Sequence, residues 1–186
     1  MGNNQEFAPG IPDKGRFEPI PVVSETEKWK SVVHRHDAFK AGRHLDLRLQ
    51  EPGTDNLHSW AVRRLPKPGE KVLAVQQPTH AAHYGTFKGV IPSGYGAGSV
   101  RIQSKGEAKV HKAGPGKITF QMGPSLYTLV KTKKDERSWL LVNHTKIASV
   151  GGTGGVVNDV MALAFARMLK GSPFQRMVDL IRKGKP

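Results

Sequence analysis

Residues 44–49 read His44-Leu45-Asp46-Leu47-Arg48-Leu49, and their alternation separates polar from apolar side chains. Successive side chains of an extended strand point to opposite faces, so the three polar groups share one face and the three leucines share the other. The leucine face predicts core packing. The polar face brings an imidazole, a carboxylate and a guanidinium to one place, whereas chance alternation on an edge strand more often presents Thr, Lys or Glu. We therefore predict a strand that carries the chemistry of a functional site.

Short strand-like segments separated by turns continue along the chain at a spacing of roughly ten residues. The predicted strands are 29–36, 44–49, 57–63, 71–76, 99–103, 107–112, 117–122, 126–132 and 138–143. Lys105-Gly106 and Gly114-Pro115-Gly116 supply two of the predicted turns. No helical pattern intervenes, which predicts a mainly β fold, a small antiparallel barrel or sandwich.

The composition divides the chain into four parts. Residues 1–28 are rich in proline and predict an extended N-terminal arm, and residues 29–146 form the β domain. Residues 147–155 read as a glycine-rich linker rather than a phosphate loop. Residues 156–186 change to helical spacing and predict a basic C-terminal helical tail. The tail is compatible with packing on the barrel, binding nucleic acid or contacting a second protein.

The charge balance points to a polyanionic partner. Lys and Arg number 29 against 15 acidic residues, for a net charge of +14 and an isoelectric point near 10.2. Nucleic acid is the first candidate, and a generally basic surface or a subunit of a ribonucleoprotein are the alternatives. The candidate nucleic-acid contacts are Lys133, Lys134, Arg176, Arg182 and Lys183, for which a solvated basic face is an equal alternative.

The chain contains no cysteine, which limits the kinds of functional site that it can form. Disulfides, thiolate catalysis, zinc fingers and iron–sulfur clusters are excluded, so a metal site must use histidine and carboxylate. No apolar run approaches the ~20 residues of a membrane-spanning helix, which predicts no membrane association. The N-terminal residues show no secretory signal, and we expect an intracellular protein of the cytoplasm or nucleoid.

Histidines cluster in the first half of the chain. Six of the eight lie between positions 34 and 83, while His111 and His144 lie outside. His34 and His36 share one face of a predicted strand, and His80 and His83 lie in a predicted loop at 77–85. Imidazole and carboxylate without thiolate suit Mn, Fe or Zn. The glycine-dense loop at 91–98 lacks the Lys-Ser/Thr of a phosphate loop and predicts a bulged turn.

Ordered motifs across residues 29–146 resemble one known family. They are His36-Asp37-Ala38, His44-x-Asp46-x-Arg48-Leu49, Ser59-Trp60-Ala61-Val62, Leu73-Ala74-Val75, His80-x-x-x-Tyr84, Phe87-x-Gly89-Val90-Ile91-Pro92, Gly94-Tyr95-Gly96-Ala97-Gly98, Leu126-Tyr127-Thr128-Leu129-Val130 and Trp139-Leu140-Leu141. This order resembles the 3'-phosphoesterase domain of bacterial and archaeal DNA ligase D, the end-healing module of non-homologous end joining. We expect a stand-alone, divergent member.

The resemblance implies a barrel-like β fold and a Mn²⁺-dependent enzyme, with Zn²⁺ or another transition metal as alternatives. Its substrates would be the 3' ends of primer–template DNA, including ends that carry a 3' ribonucleotide. It would remove the terminal ribonucleoside and then the 3'-phosphate. The ligase and polymerase of an end-joining system are its candidate protein partners.

The same resemblance implies residue roles. The metal ligands would be His36, Asp46 and His80. His44 would be the catalytic histidine, Arg48 a phosphate clamp and Tyr84 a further phosphate contact. His34 and His83 are candidates for additional site residues.

The chain also departs from the family pattern. The loop between His36 and His44 is longer, Leu45 replaces a Tyr, and Val72 stands where the family has an Arg. We expect metal binding to survive these changes, whereas the division between ribonucleoside and phosphate removal stays open. The alternative function is a catalytically weak or inactive protein that binds nucleic-acid ends, or a subunit of a repair or ribonucleoprotein assembly.

Overall fold

A computed structural model of the chain describes residues 16–94 and 96–146. The strands are β1 (Glu27–Ala38), β2 (Gly42–Gln50), β3 (Leu57–Val62), β4 (Lys71–His80), β5 (Gly89–Ile91), β6 (Gly98–Gly114), β7 (Lys117–Met122), β8 (Ser125–Lys131) and β9 (Ser138–Asn143). A short 3₁₀ helix, Ala82–Thr86, lies between β4 and β5. The predicted antiparallel, mainly β fold is confirmed. The predicted linker and helical tail lie outside the described residues.

Eight of the nine strands form a closed ring. The hydrogen-bonded order is β1-β2-β3-β4-β9-β8-β7-β6, and β6 pairs back with β1. β5 adds to the first residues of β6 outside this ring. Because β6 pairs with β1, the fold is a barrel and not a sandwich. Within the described residues, the ring of strands therefore has no free edge.

The barrel interior is filled by large apolar side chains. Trp29, Trp60 and Trp139 are fully buried, and the rings of Trp60 and Trp139 meet edge to face at 5.7 Å. Leu47 and Leu49 of β2 belong to the same cluster, which confirms the predicted core face of that strand. Each such leucine contributes ~1.5–3 kcal/mol through burial. The polar face of β2 consequently points out of the barrel.

A second layer covers that outer face. Residues 81–94 and 96–98 comprise the 3₁₀ helix, β5 and the described part of the glycine-dense loop, and they pack across β1, β2 and β3. Gly85 lies against Val32 and Leu57, which are buried outside the barrel core. The amide of Phe39 also donates to the carbonyl of Ala97 at 2.9 Å. The polar side chains of β2 are therefore enclosed between the barrel wall and this cover.

The described strands differ from the predicted ones in β6 and in β4. β6 runs unbroken through Lys105-Gly106, because β1 pairs with it along nearly its whole length and satisfies its backbone hydrogen bonds. The predicted turn there is wrong. β4 extends to His80, so this residue lies at a strand end instead of in a loop. No helix within residues 16–94 and 96–146 has the length and apolar character needed to cross a bilayer.

The N-terminal arm is described from Arg16 onward. Residues 16–26 form no helix or named strand, and Val23 forms an isolated antiparallel bridge with Ala113. Ile20 and Val23 are buried in the barrel core cluster. This part of the arm therefore packs as part of the β domain.

A substitution at Gly98 tests the close approach of β6 to β1. A Cβ at this position would stand 2.3 Å from the carbonyl oxygen of Asp37, and the φ of +150° is one that L-residues rarely adopt. We expect Gly98→Ala to lower the free energy of unfolding by roughly 1–3 kcal/mol, measured by urea denaturation. Gly114→Ala is the control, because it lies in the same strand with open space around it. Equal stability of the two variants would contradict the packing described.

Candidate metal and phosphate site

Two histidines and a carboxylate converge at the paired ends of β1 and β2. His36 lies directly opposite His44, and their ring centroids are 4.7 Å apart. The Nδ1 atom of His36 and the Nε2 atom of His44 each lie 3.5 Å from an oxygen of Asp46. The three donor atoms lie within 4.8 Å of one another, so this cluster is a candidate metal site.

The backbone orients both imidazoles toward a cation. His36 donates from Nε2 to the carbonyl of Gly96, and His44 donates from Nδ1 to the carbonyl of Gly42, both at 2.9 Å. The other ring nitrogen of each histidine faces Asp46, where it can donate a hydrogen bond to the carboxylate when protonated or offer a lone pair to a cation when unprotonated. Such second partners are typical of metal-binding histidines. The residues therefore fit a divalent cation by their donor chemistry.

The Asp46 carboxylate also forms an ion pair with Arg48. Arg48 is buried, with 3% of its surface exposed, and its Nη2 donates to Asp46 at 3.0 Å. Its Nη1 donates to Ser59 at 2.7 Å and to His80 at 3.1 Å, and its Nε donates to His34 at 3.1 Å. Four side chains from four strands therefore fix the guanidinium next to the His36–His44–Asp46 cluster.

Burial and charge set the protonation states around Arg48. Burial, followed by the Arg48 charge, lowers the pKa of His34 to about 4 and that of His80 to about 3. Both rings are neutral at pH 7 and accept from Arg48. Burial opposes ionisation of Asp46, yet the Arg48 charge and hydrogen bonds from the histidines hold its pKa well below the usual range. A hydrogen bond to Asp46 outweighs burial and raises the pKa of His44.

Tyr84 covers the arginine from the 3₁₀ helix. The Arg48 guanidinium carbon lies 4.8 Å from the centroid of its ring, which is a cation–π distance. The Tyr84 ring also stacks on His80 at 4.9 Å and on Phe87 at 5.1 Å. Burial raises the pKa of the Tyr84 phenol, so it stays protonated at pH 7. The aromatic stack holds Arg48 away from bulk water.

A cleft of about 780 Å³ opens onto these residues. One end is lined by His36, His44, Asp46, Arg48, His80 and Tyr84. The cleft then crosses the outer faces of β3 and β4 and reaches the turn between β8 and β9. The buried polar cluster is therefore accessible to a ligand from one side.

The structure brings together most of the site residues inferred from sequence. His36 and Asp46 lie in one cluster, whose third member is His44, while His80 lies at Arg48. The ligand role of His80 and the catalytic role of His44 stay predictions. Ser59, which contacts Arg48, was not predicted as a site residue. Its position on the outward face of β3, directly opposite Arg48, is the feature that could have identified it.

Other predicted residues lie away from the cluster. His34 contacts Arg48 from the β1 side, as a candidate additional site residue. His83 is exposed and lines a separate cleft of about 250 Å³. Lys133 and Lys134 are exposed in the turn before β9, so their nucleic-acid role stays a prediction. Arg176, Arg182 and Lys183 lie outside the described residues.

The fold and the site define a β-barrel protein with a candidate cation cluster beside a buried arginine. The DNA ligase D 3'-phosphoesterase domain matches residues 34–144, which is more than half of the chain. The chain therefore belongs to this family, and the resemblance inferred from its motifs is confirmed. Membership supports a 3'-phosphoesterase-type role in DNA repair and implies nucleic-acid substrates. No curated protein matches the chain.

Mn²⁺ should stabilise the folded chain through the His36–His44–Asp46 cluster. An ion that binds only the native state adds ~2.7 kcal/mol to the free energy of unfolding at 100 times its Kd. We expect Mn²⁺ to raise the melting temperature of the unaltered chain relative to EDTA, and Asp46→Asn and His44→Gln to lose that rise. Asp37→Asn, which removes a half-buried carboxylate paired with Arg43, should retain it. An equal rise in all four proteins would contradict the cluster as the binding site.

The neutral state of His80 predicts a pH dependence of stability in the metal-free chain. Its pKa is about 3 in the folded state, so the unfolded chain binds the extra proton as pH falls below 6.5, and stability falls with pH. Between pH 6 and 4, His80→Gln should reduce the slope of unfolding free energy against pH by ~1.4 kcal/mol per pH unit. The exposed His144→Gln should retain the original slope. Equal slopes in both variants would contradict the neutral buried ring.

Proposed function

We propose that the chain is a divalent-metal-dependent phosphoesterase that acts on the 3' ends of DNA strands in end-joining repair. It removes a terminal 3'-phosphate and, from a strand that ends in a ribonucleotide, the terminal ribonucleoside. The observation that carries this proposal is the buried Arg48–Asp46 contact at 3.0 Å, directly beside the His36–His44–Asp46 cluster. A divalent cation and a fixed guanidinium each stabilise the negative charge of a phosphoryl group, and this contact places the two side by side.

His36, His44 and Asp46 would hold the metal, in place of the set with His80 inferred from sequence. Mn²⁺ is the proposed ion because mixed imidazole and carboxylate donors suit it, and Zn²⁺ suits the same donors. When bound, a divalent ion stabilises the negative charge that develops on phosphoryl oxygens. Asp46 stays ionised because its pKa lies well below the usual range, so it remains a ligand at pH 7.

Arg48 would bind a phosphoryl oxygen by charge and by a single N–H. Its contacts with His34, Ser59, His80 and Asp46 use four of the five N–H groups of a guanidinium. The remaining N–H is on Nη2, the nitrogen that also contacts Asp46. Arg48 is therefore a rigid, oriented charge beside the cluster, which is the form of electrostatic stabilisation that lowers a transition-state barrier most.

His80 would act as a neutral hydrogen-bond donor. Its Nδ1 accepts from Arg48, so Nε2 carries the proton in the neutral ring. Hydrolysis forms a bond from a water oxygen to phosphorus and breaks the bond from phosphorus to the 3' oxygen. That oxygen leaves as a hydroxyl after it takes a proton, so the products are a 3'-OH strand and inorganic phosphate. A donor beside Arg48 is suited to stabilise the leaving oxygen or a phosphoryl oxygen.

A 5'-labelled primer that carries a 3'-phosphate, annealed to a template, tests the proposal. With Mn²⁺ we expect conversion to a 3'-OH product, resolved by gel mobility. Arg48→Lys should lower kcat by roughly 10²–10³, because the fixed donor is lost while the charge is kept. Arg101→Lys is the control, since Arg101 forms an exposed ion pair with Asp37.

No 3'-OH product with any divalent metal would overturn the enzymatic proposal. Salt-sensitive binding of the same primer–template without product would instead identify an end-binding protein.

A further inference from the structure

We infer that the cleft arm, defined as the part of the cleft lined by Arg63, Leu73, Val75 and Arg137, binds the nucleotides that precede the 3'-terminal phosphate. The two arginines would contact the preceding phosphodiesters, and Leu73 and Val75 would contact sugar and base. The inference rests on the proposed function, because it takes the terminal phosphate to lie beside Arg48.

The arm begins at the site itself. Asp46, Ala61, Val75 and Ser138 are directly opposite one another across β2, β3, β4 and β9, and all four line the same cleft. Neighbouring strands lie ~4.8 Å apart, so this row spans roughly 14 Å. A nucleic-acid strand advances ~3.4 Å per nucleotide along a duplex axis. The arm is therefore long enough for more than one nucleotide beyond the terminal phosphate.

The floor of the arm is apolar and open. Leu73 has 52% of its surface exposed and lines the cleft. It lies directly opposite Leu140, which lies opposite Val130, itself 36% exposed. These three residues form an apolar row that is continuous with the cleft. Sugars and base faces are the parts of a nucleic-acid strand that contact apolar surface.

Within the described residues, no carboxylate pairs with the two arginines of the arm. Of the eight arginines in residues 16–94 and 96–146, six lie within 4.0 Å of a carboxylate oxygen. The two that do not are Arg63 and Arg137, and both line the cleft. Unpaired guanidinium groups beside a phosphate site favour further phosphates as partners.

Backbone contacts hold both arginines in place. The Nε of Arg137 donates to the carbonyl of Gln76 at 3.0 Å, and Nη1 of Arg63 donates to the carbonyl of Arg43 at 3.2 Å. Asp135, which also lines the far end of the cleft, accepts from the Arg137 and Ser138 amides and from the Ser138 hydroxyl. Asp135 therefore stabilises its own turn instead of pairing with the Arg137 guanidinium.

A strand-length comparison tests the arm. The substrates are a nucleoside 3'-phosphate, which reaches only the site, and a trinucleotide 3'-phosphate, which extends into the arm. We expect the ratio of their kcat/KM values to favour the trinucleotide. Leu73→Glu should lower that ratio at least tenfold by repelling the phosphodiesters, whereas Leu73→Lys, equally polar and similarly long, should not lower it. Equal ratios in these two variants overturn the inference.

Binding measured without turnover separates this inference from the proposed function. For the trinucleotide 3'-phosphate, the slope of log affinity against log salt should fall by about 0.7 in Arg63→Gln and again in Arg137→Gln. Arg64→Gln is the matched control, because it removes the same charge next to Arg63 but from an arginine paired with Glu70. A slope change as large in Arg64→Gln overturns the cleft arm. Absence of turnover with an intact slope difference overturns the phosphoesterase instead.

Discussion

The contact between Arg48 and Asp46 is a buried ion pair on the outer face of a barrel strand. Moving two charges out of water costs several kcal/mol per ion, and their attraction offsets this only when further hydrogen bonds satisfy the remaining groups. Arg48 receives that support from His34, Ser59 and His80, each of which accepts one N–H. The two histidines accept because burial and the arginine charge keep them neutral. A protonated ring at either position would place two cations in contact.

The pair also explains why an outer face of the barrel needs a cover. A guanidinium exposed to solvent on an ordinary strand would move freely, and water would screen its charge. Tyr84 and the 3₁₀ helix exclude water from one side of Arg48, while the cleft leaves the other side open. Asp46 then faces two sets of groups, because its oxygens lie near Arg48 and near both cluster histidines. A phosphate bound at the open side, as we propose, would be close to the His36–His44–Asp46 cluster and to the guanidinium at once.

Sequence predicted this strand well because alternation is a local property. The leucines of β2 lie in the core, and its polar residues share one face, as period-two geometry requires. The composition of the cluster depends instead on the register between β1 and β2, which places His36 opposite His44. The family motifs suggested His80 as a ligand, but the position of His80 depends on how far β4 extends and on its contact with Arg48. Neither property is encoded in local periodicity.

Closure of the barrel could not be predicted from the sequence for a related reason. Lys105-Gly106 resembles a turn, yet a turn there would leave the facing part of β1 without hydrogen-bond partners, so long-range pairing overrides the local preference. Charge shows the same contrast between local and tertiary information. A net charge of +14 predicts a polyanionic partner but no binding surface. The fold adds positions to this charge, because Arg63 and Arg137 line the same cleft as the buried Arg48, and neither lies within 4.0 Å of a carboxylate among residues 16–94 and 96–146.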